Sequence, residues 1–235
     1  MFGYYDIPLE IVTEEISLSL EREGEAFIYR SECADTKVEK LLLLGAGKVL
    51  INPVEPLNKP KELTSSLLIE FEKNLLVEPK TTRKIFITYP IEIGVLIYSN
   101  GDVEVLDILT LARQKFTLYG NPRSGVICKY WRSKVCSTRP AVNPLHEGVI
   151  ELNITNMTSN WVKLTKAVFN AYGMKIYYRD DLVAMRARMK IMHGHNAETD
   201  FIDAPLEAGM TKAMELYTAK KLQVTTTKFV MEVGL

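Results

Sequence analysis

The chain has 235 residues, with 29 basic side chains set against 29 acidic ones. A formal net charge of zero excludes a protein that coats a polyanion through bulk charge, and 47% hydrophobic against 25% charged residues excludes a disordered chain. At roughly 100–200 residues per domain, this length makes one large domain or two small ones.

Met1-Phe2-Gly3-Tyr4-Tyr5-Asp6-Ile7-Pro8 has neither the basic nor the apolar region of a secretion signal. No apolar run reaches the roughly 18–20 residues of a membrane helix, because Leu41-Leu42-Leu43-Leu44 is stopped by Gly45-Ala46-Gly47-Lys48. The expectation is a cytoplasmic protein without membrane insertion. Cys33, Cys128 and Cys136 are too few and too odd in number for a disulfide framework, so they read as buried free thiols. A Cys128–Cys136 bridge becomes geometrically open only if residues 127–130 and 134–137 pair around a turn near Arg132. The sequons at Asn153 and Asn156 carry no message in that compartment.

In chain order, period-two alternation and β-branched or aromatic residues predict strands almost throughout. Residues 16–20 and 26–29 form a hairpin around Gly24. The apolar run 41–44 before Gly45 and Gly47 has the look of a dinucleotide-binding turn, but Leu50 replaces the third glycine and residues 49–51 read as strand, not helix. A β-turn between two strands is the expectation there. The prolines of 52–60 predict a rigid connection rather than a central strand. Strands follow at 66–72, 84–88 and 93–99, and Asn100-Gly101 turns the last of these into another at 103–108.

The second half repeats the pattern with strands at 149–155, 162–169, 174–178 and 182–192. A short helix is the expectation over 207–222, where Met210, Met214, Tyr217 and Lys221 share a face, with strand as an equal reading. Residues 68–71 align with 149–152 and 94–98 with 173–177, which is either duplication or a pattern common to hairpin-rich sheets. The fold class is mainly β: antiparallel β-sandwich-like halves in tandem, 1–115 and 116–235, joined in the polar region between Leu111 and Pro144.

Four strings, Ile51-Asn52-Pro53-Val54-Glu55-Pro56, Tyr89-Pro90-Ile91-Glu92-Ile93-Gly94-Val95, Gly125-Val126-Ile127-Cys128-Lys129-Tyr130-Trp131 and Lys166-Ala167-Val168-Phe169-Asn170-Ala171-Tyr172-Gly173-Met174, bear a family likeness. Over its whole length the chain resembles an archaeal family catalogued as domain of unknown function 432. The resemblance implies an archaeal, cytoplasmic protein and carries no activity, cofactor or catalytic residue with it.

The neutral total hides an asymmetry. Between Asp107 and Glu147 there is no carboxylate, while Arg113, Lys115, Arg123, Lys129, Arg132, Lys134 and Arg139 are interleaved with Phe116, Tyr119, Tyr130 and Trp131. Cations beside aromatic faces suit a single-stranded nucleic acid or another anionic ligand, and Arg123, Lys129, Tyr130, Trp131, Arg132 and Lys134 are the candidate contacts. The alternative is that the acid-rich residues 1–40 pack against this stretch, within the chain or across a homodimer. His193 and His195, two apart and followed by Glu198, Asp200 and Asp203, are candidate metal ligands, against a bland reading as loop residues. His146 stands alone and no Gly-x-Ser-x-Gly elbow occurs. The sequence therefore favours a non-catalytic binding or interaction module, followed by an anion binder on the basic stretch, then a metal-dependent or carbohydrate-active enzyme; it calls for no cofactor.

Overall fold

The computed structural model describes residues 1–60, 63–99, 101–193, 196–216 and 227–235. Their strands, in chain order, are β1 (Gly3–Asp6), β2 (Leu9–Val12), β3 (Ile16–Glu23), β4 (Ala26–Cys33), β5 (Thr36–Leu42), β6 (Lys48–Val54), β7 (Ser66–Val77), β8 (Thr82–Pro90), β9 (Glu92–Ser99) and β10 (Asp102–Leu109). There follow β11 (Phe116–Tyr119), β12 (Val126–Ser133), β13 (Glu147–Asn156), β14 (Val162–Asn170), β15 (Tyr177–Arg179), β16 (Leu182–His193), β17 (Asn196–Ile202), β18 (Thr211–Lys212) and β19 (Phe229–Met231). The fold is mainly β, as the alternation predicts.

The amino-terminal meander β2-β3-β4-β5 buries Ile16, Leu18, Leu20, Tyr29 and Cys33 on one face. Its other face carries a ladder of charge in which Arg30 lies between Glu21 and Glu39 and Lys37 meets Glu32. Beside it runs the sheet β1-β6-β9-β10. Ser99 pairs with Asp102, and between β9 and β10 Gly101 takes φ +85°; Asn100 lies outside the described residues. One extra residue in β10, Leu106, breaks the register between Val105 and Asp107. This bulge reverses the parity of the strand and aims Asp107 at the meander, where its Oδ2 accepts the Tyr29 hydroxyl at 3.0 Å and the Ser31 hydroxyl at 2.7 Å. All three residues are buried, so the bond set fastens one sheet to the other.

The remaining strands form two facing sheets, β11-β12-β7-β14 and β18-β15-β16-β13-β8, the second extended by β17 and β19. Consecutive strands β7 and β8 sit in different sheets, as do β13 and β14, and the partners cross: β7 pairs with β14 and β8 with β13, both antiparallel. Two contacts are parallel, β12 with β7 and β13 with β16. β7 and β8 lie before the 115/116 boundary and their partners after it, and one continuous apolar core includes Ile69 and Ile87 together with Ile150, Val168 and Met189.

Several local expectations change. Residues 207–215 contain no helix, Leu216 is helical, and 217–222 lie outside the described residues. The reason is non-local: the Ala213 N–H bonds Ile176 O at 2.9 Å and the Met214 N–H bonds Asn52 Oδ1 at 2.8 Å, so neither is available to a helical carbonyl. Asn52 to Val54 belong to strand β6 despite Pro53; β1 reaches only as far as Ile51, so from Asn52 onward β6 has β9 as its one partner. The 94–98 and 173–177 segments differ, the first lying in β9 and the second beginning in the 3₁₀ turn Ala171–Gly173. Glycine-containing residues 45–47 connect strand to strand, without a helix. All three cysteines are free; β12 pairs with β11 and β7, while Cys136 bridges to Phe86.

Candidate functional site

The basic aromatic stretch is built on the β11–β12 hairpin at the edge of its sheet, with Phe116 opposite Lys129 and Leu118 opposite Ile127. Strand pleating divides the candidates between two faces. Lys129 and Trp131 turn inward. The Trp131 Nε1–H donates to Thr88 Oγ1 at 3.0 Å, and neighbouring Ser133 Oγ accepts the Thr88 N–H at 2.8 Å, which ties β12 to β8 in the facing sheet. Lys129 Nζ lies 3.4 Å from Glu92 Oε1 and 3.2 Å from the Lys59 carbonyl, with the Phe116 ring 5.5 Å away. Burial pushes the Lys129 amine down and the Glu92 carboxyl up, each opposed by the attraction of the other.

On the other face of β12, Cys128 is buried, Tyr130 half-buried and Arg132 exposed. The Tyr130 hydroxyl donates to Glu70 Oε2 at 2.9 Å; partial burial raises that phenol, and the Glu70 charge adds to the effect. Arg123, Arg132 and Lys134 are exposed, as are Arg113 and Lys115. Among the described residues none of these five cations has an ion-pair partner, whereas Arg139 meets Glu207 at 3.2 Å. Five of the ten acids of residues 1–40 are engaged elsewhere: Asp6 with Lys48, Glu21 and Glu39 with Arg30, Glu32 with Lys37 and Glu15 with His146. No described ion pair joins them to residues 113–139, so they do not neutralise the basic stretch through contact. On the same hairpin Phe116, Leu118, Val126 and Ile127 are exposed, with Ile127 at 47%. The hairpin and its flanks thus carry five exposed cations without ion-pair partners among the described residues, together with four exposed apolar side chains.

The family model described as Protein of unknown function (DUF432) matches residues 1–232. The chain belongs to that family. No curated protein and no solved structure matches it.

In this DUF432 chain the third candidate, the histidine pair, is only partly described: His193 is exposed at the end of β16, and His195 lies outside the described residues. The carboxylates placed near them by sequence are held by cations, Glu198 by Lys228 at 2.9 Å, Asp200 by Arg188 at 2.7 Å and Asp203 by Lys212 at 2.7 Å. Among the described residues no three His, Cys, Asp or Glu side chains form a group able to hold a metal ion. No described helix is long and apolar enough to cross a membrane. A depression of about 370 Å³ on the meander is lined by Ser17, Ser19, Arg30, Glu32, Lys37 and Glu39, but its charges pair with one another, unlike those of the hairpin.

Sequence reasoning missed Glu92 and Asp107. Each is a lone carboxylate inside an otherwise apolar run, Ile91-Glu92-Ile93 and Leu106-Asp107-Ile108, and that interruption was the available signal.

Proposed function

We propose that the protein is a non-catalytic interaction module of the cytoplasm, and that it binds an extended, acidic segment with interspersed apolar residues along the β11–β12 edge. The observation that carries this reading is the set of five exposed cations without ion-pair partners among the described residues, on and flanking the hairpin that exposes Phe116, Leu118, Val126 and Ile127. Carboxylates of the segment meet the cations, alternate apolar side chains cover the exposed ones, and β11, an edge strand, supplies backbone groups for strand addition. Three free thiols fit a reducing compartment.

A single-stranded nucleic acid is the competing ligand. It is disfavoured because Trp131 is bound to Thr88 and Tyr130 to Glu70, which leaves Phe116 as the exposed ring of the hairpin for stacking.

Fluorescence anisotropy with a labelled peptide alternating Glu or Asp with Leu or Val, against a labelled oligothymidylate, tests the reading. The expected result is peptide binding that weakens with salt and is lost in Leu118→Asp and Arg123→Glu, with new hydrogen-exchange protection in β11. Binding of the oligonucleotide without the peptide assigns the edge to nucleic acid instead. No binding of either at low salt removes the proposal, and self-association by sedimentation in place of peptide binding assigns the edge to a homodimer.

A further inference from the structure

Among the described residues, the least accessible charged groups meet at one point. The side chains of Lys129 and Glu92 are 2% and 0% exposed. Glu92 opens β9, and its Oε2 accepts the Asn58 N–H at 2.8 Å while its Oε1 accepts the Lys59 N–H at 3.3 Å. The Asn58 carboxamide bonds the same carboxylate and also donates from Nδ2 to Glu55 O at 2.8 Å. The amine of Lys129 and the carboxamide of half-buried Asn58 thus converge on one buried carboxyl group, with the Phe116 ring 5.5 Å from the amine.

A buried ion pair is a poor stabiliser, since desolvation of both charges offsets their attraction. Here the same desolvation favours the neutral amine and the protonated acid. Those are the reactive forms: an uncharged amine is a nucleophile, and a protonated carboxyl group can activate a carboxamide and carry a proton. Holding the amine and the carboxamide on one carboxyl group replaces a bimolecular encounter by an intramolecular one.

We propose that Lys129 and Asn58 become joined by an amide bond within the folded chain, with Glu92 as the proton carrier. Lys129 Nζ attacks Asn58 Cγ, and Glu92 donates to the carboxamide and recovers the proton lost by Nζ. The Cγ–Nδ2 bond breaks and ammonia leaves; no oxidant or second reactant is needed. The product removes the buried charge of Lys129 and ties the segment after β6 to β12, constraining the unfolded chain as a disulfide does. This cross-link is independent of what the β11–β12 edge binds.

Intact mass and peptide mapping of the purified full chain test it. The expected result is a chain one ammonia lighter than its sequence, and a branched peptide joining Asn58 to Lys129. Glu92→Gln and Asn58→Ala chains, shown folded by circular dichroism, are expected at their unmodified masses. A wild-type chain that gives Lys129 and Asn58 in ordinary linear peptides overturns the proposal whatever the variants do. Loss of ammonia mapped to a succinimide at an asparagine overturns it equally.

Discussion

The Asn52 carboxamide bonds both backbone groups of Met214, accepting its N–H at 2.8 Å and donating to its carbonyl at 3.0 Å. Asn52 is 1% exposed, so a side chain on β6 acts as a backbone partner for a segment 162 residues away. Leu216, just beyond, packs with Leu50, Val54 and Leu96. Truncation leaves buried backbone groups unpaired, and Asn52→Ala is expected to lower stability by about 1–3 kcal/mol. Asn52→Asp keeps the acceptor but loses the donor to Met214 O. Urea unfolding midpoints measure both, and an Asn52→Ala midpoint equal to wild type refutes the clamp.

Gly148 lies opposite Tyr89 across the β8–β13 pair, and a Cβ there would stand 2.6 Å from the Tyr89 ring. Tyr89 is fully buried and has no room to withdraw. Gly148→Ala is therefore expected to destabilise by about 1–3 kcal/mol through overpacking. The Tyr89 hydroxyl has no hydrogen-bond partner among the described residues, so Tyr89→Phe is expected to leave stability unchanged or raised. Opposite signs for the two substitutions in thermal unfolding are the result to look for.

Burial pushes the Cys128 thiol up to about 12, and it is 0% exposed. It should resist alkylation at neutral pH in the folded chain, whereas half-buried Cys136 reacts. Mass spectrometry after timed alkylation distinguishes them; early labelling of Cys128 contradicts the packing of β12.

Alkaline pH should weaken the fold. Burial, then the hydrogen bond to Asp203, raises the Tyr177 phenol from 10.0 to about 12, and burial drives Tyr29 and Tyr89 upward as well. Folded phenols keep protons that the unfolded chain releases, so the unfolded state binds fewer protons and stability falls as pH rises from 10 toward 12. Denaturant midpoints across that range should decline, and Tyr177→Phe should decline less steeply. A midpoint independent of pH there contradicts the burial of these rings.

Sequence alone located many of the strands. Alternation located β3, β4, β7, β8, β9, β10, β13, β14 and β16, and Leu50 with the strand after it ruled out a dinucleotide turn, because a residue's preference for strand and the chemistry of a two-residue turn depend on near neighbours. It also found the charge asymmetry, since a carboxylate-free stretch is a property of order along the chain.

Tertiary structure decided what faces what. Val126-Ile127-Cys128-Lys129-Tyr130-Trp131-Arg132-Ser133 has no clean alternation, so only pairing with β7 and β11 shows that Lys129 and Trp131 turn inward while Tyr130 and Arg132 turn out. One bulge at Leu106 determines that Asp107 fastens two sheets, and Asn52 determines that Met214 is not helical. Parallel pairing of β12 with β7 and of β13 with β16 likewise joins distant segments. Period-two patterning states that a strand has two faces; which face is buried, and against which partner, is set by contacts between residues far apart in the chain. The equal count of acids and bases was likewise a statement about the sum, and the fold determined that half of the amino-terminal acids pair elsewhere and that, among the described residues, five cations of the β11–β12 region have no ion-pair partner.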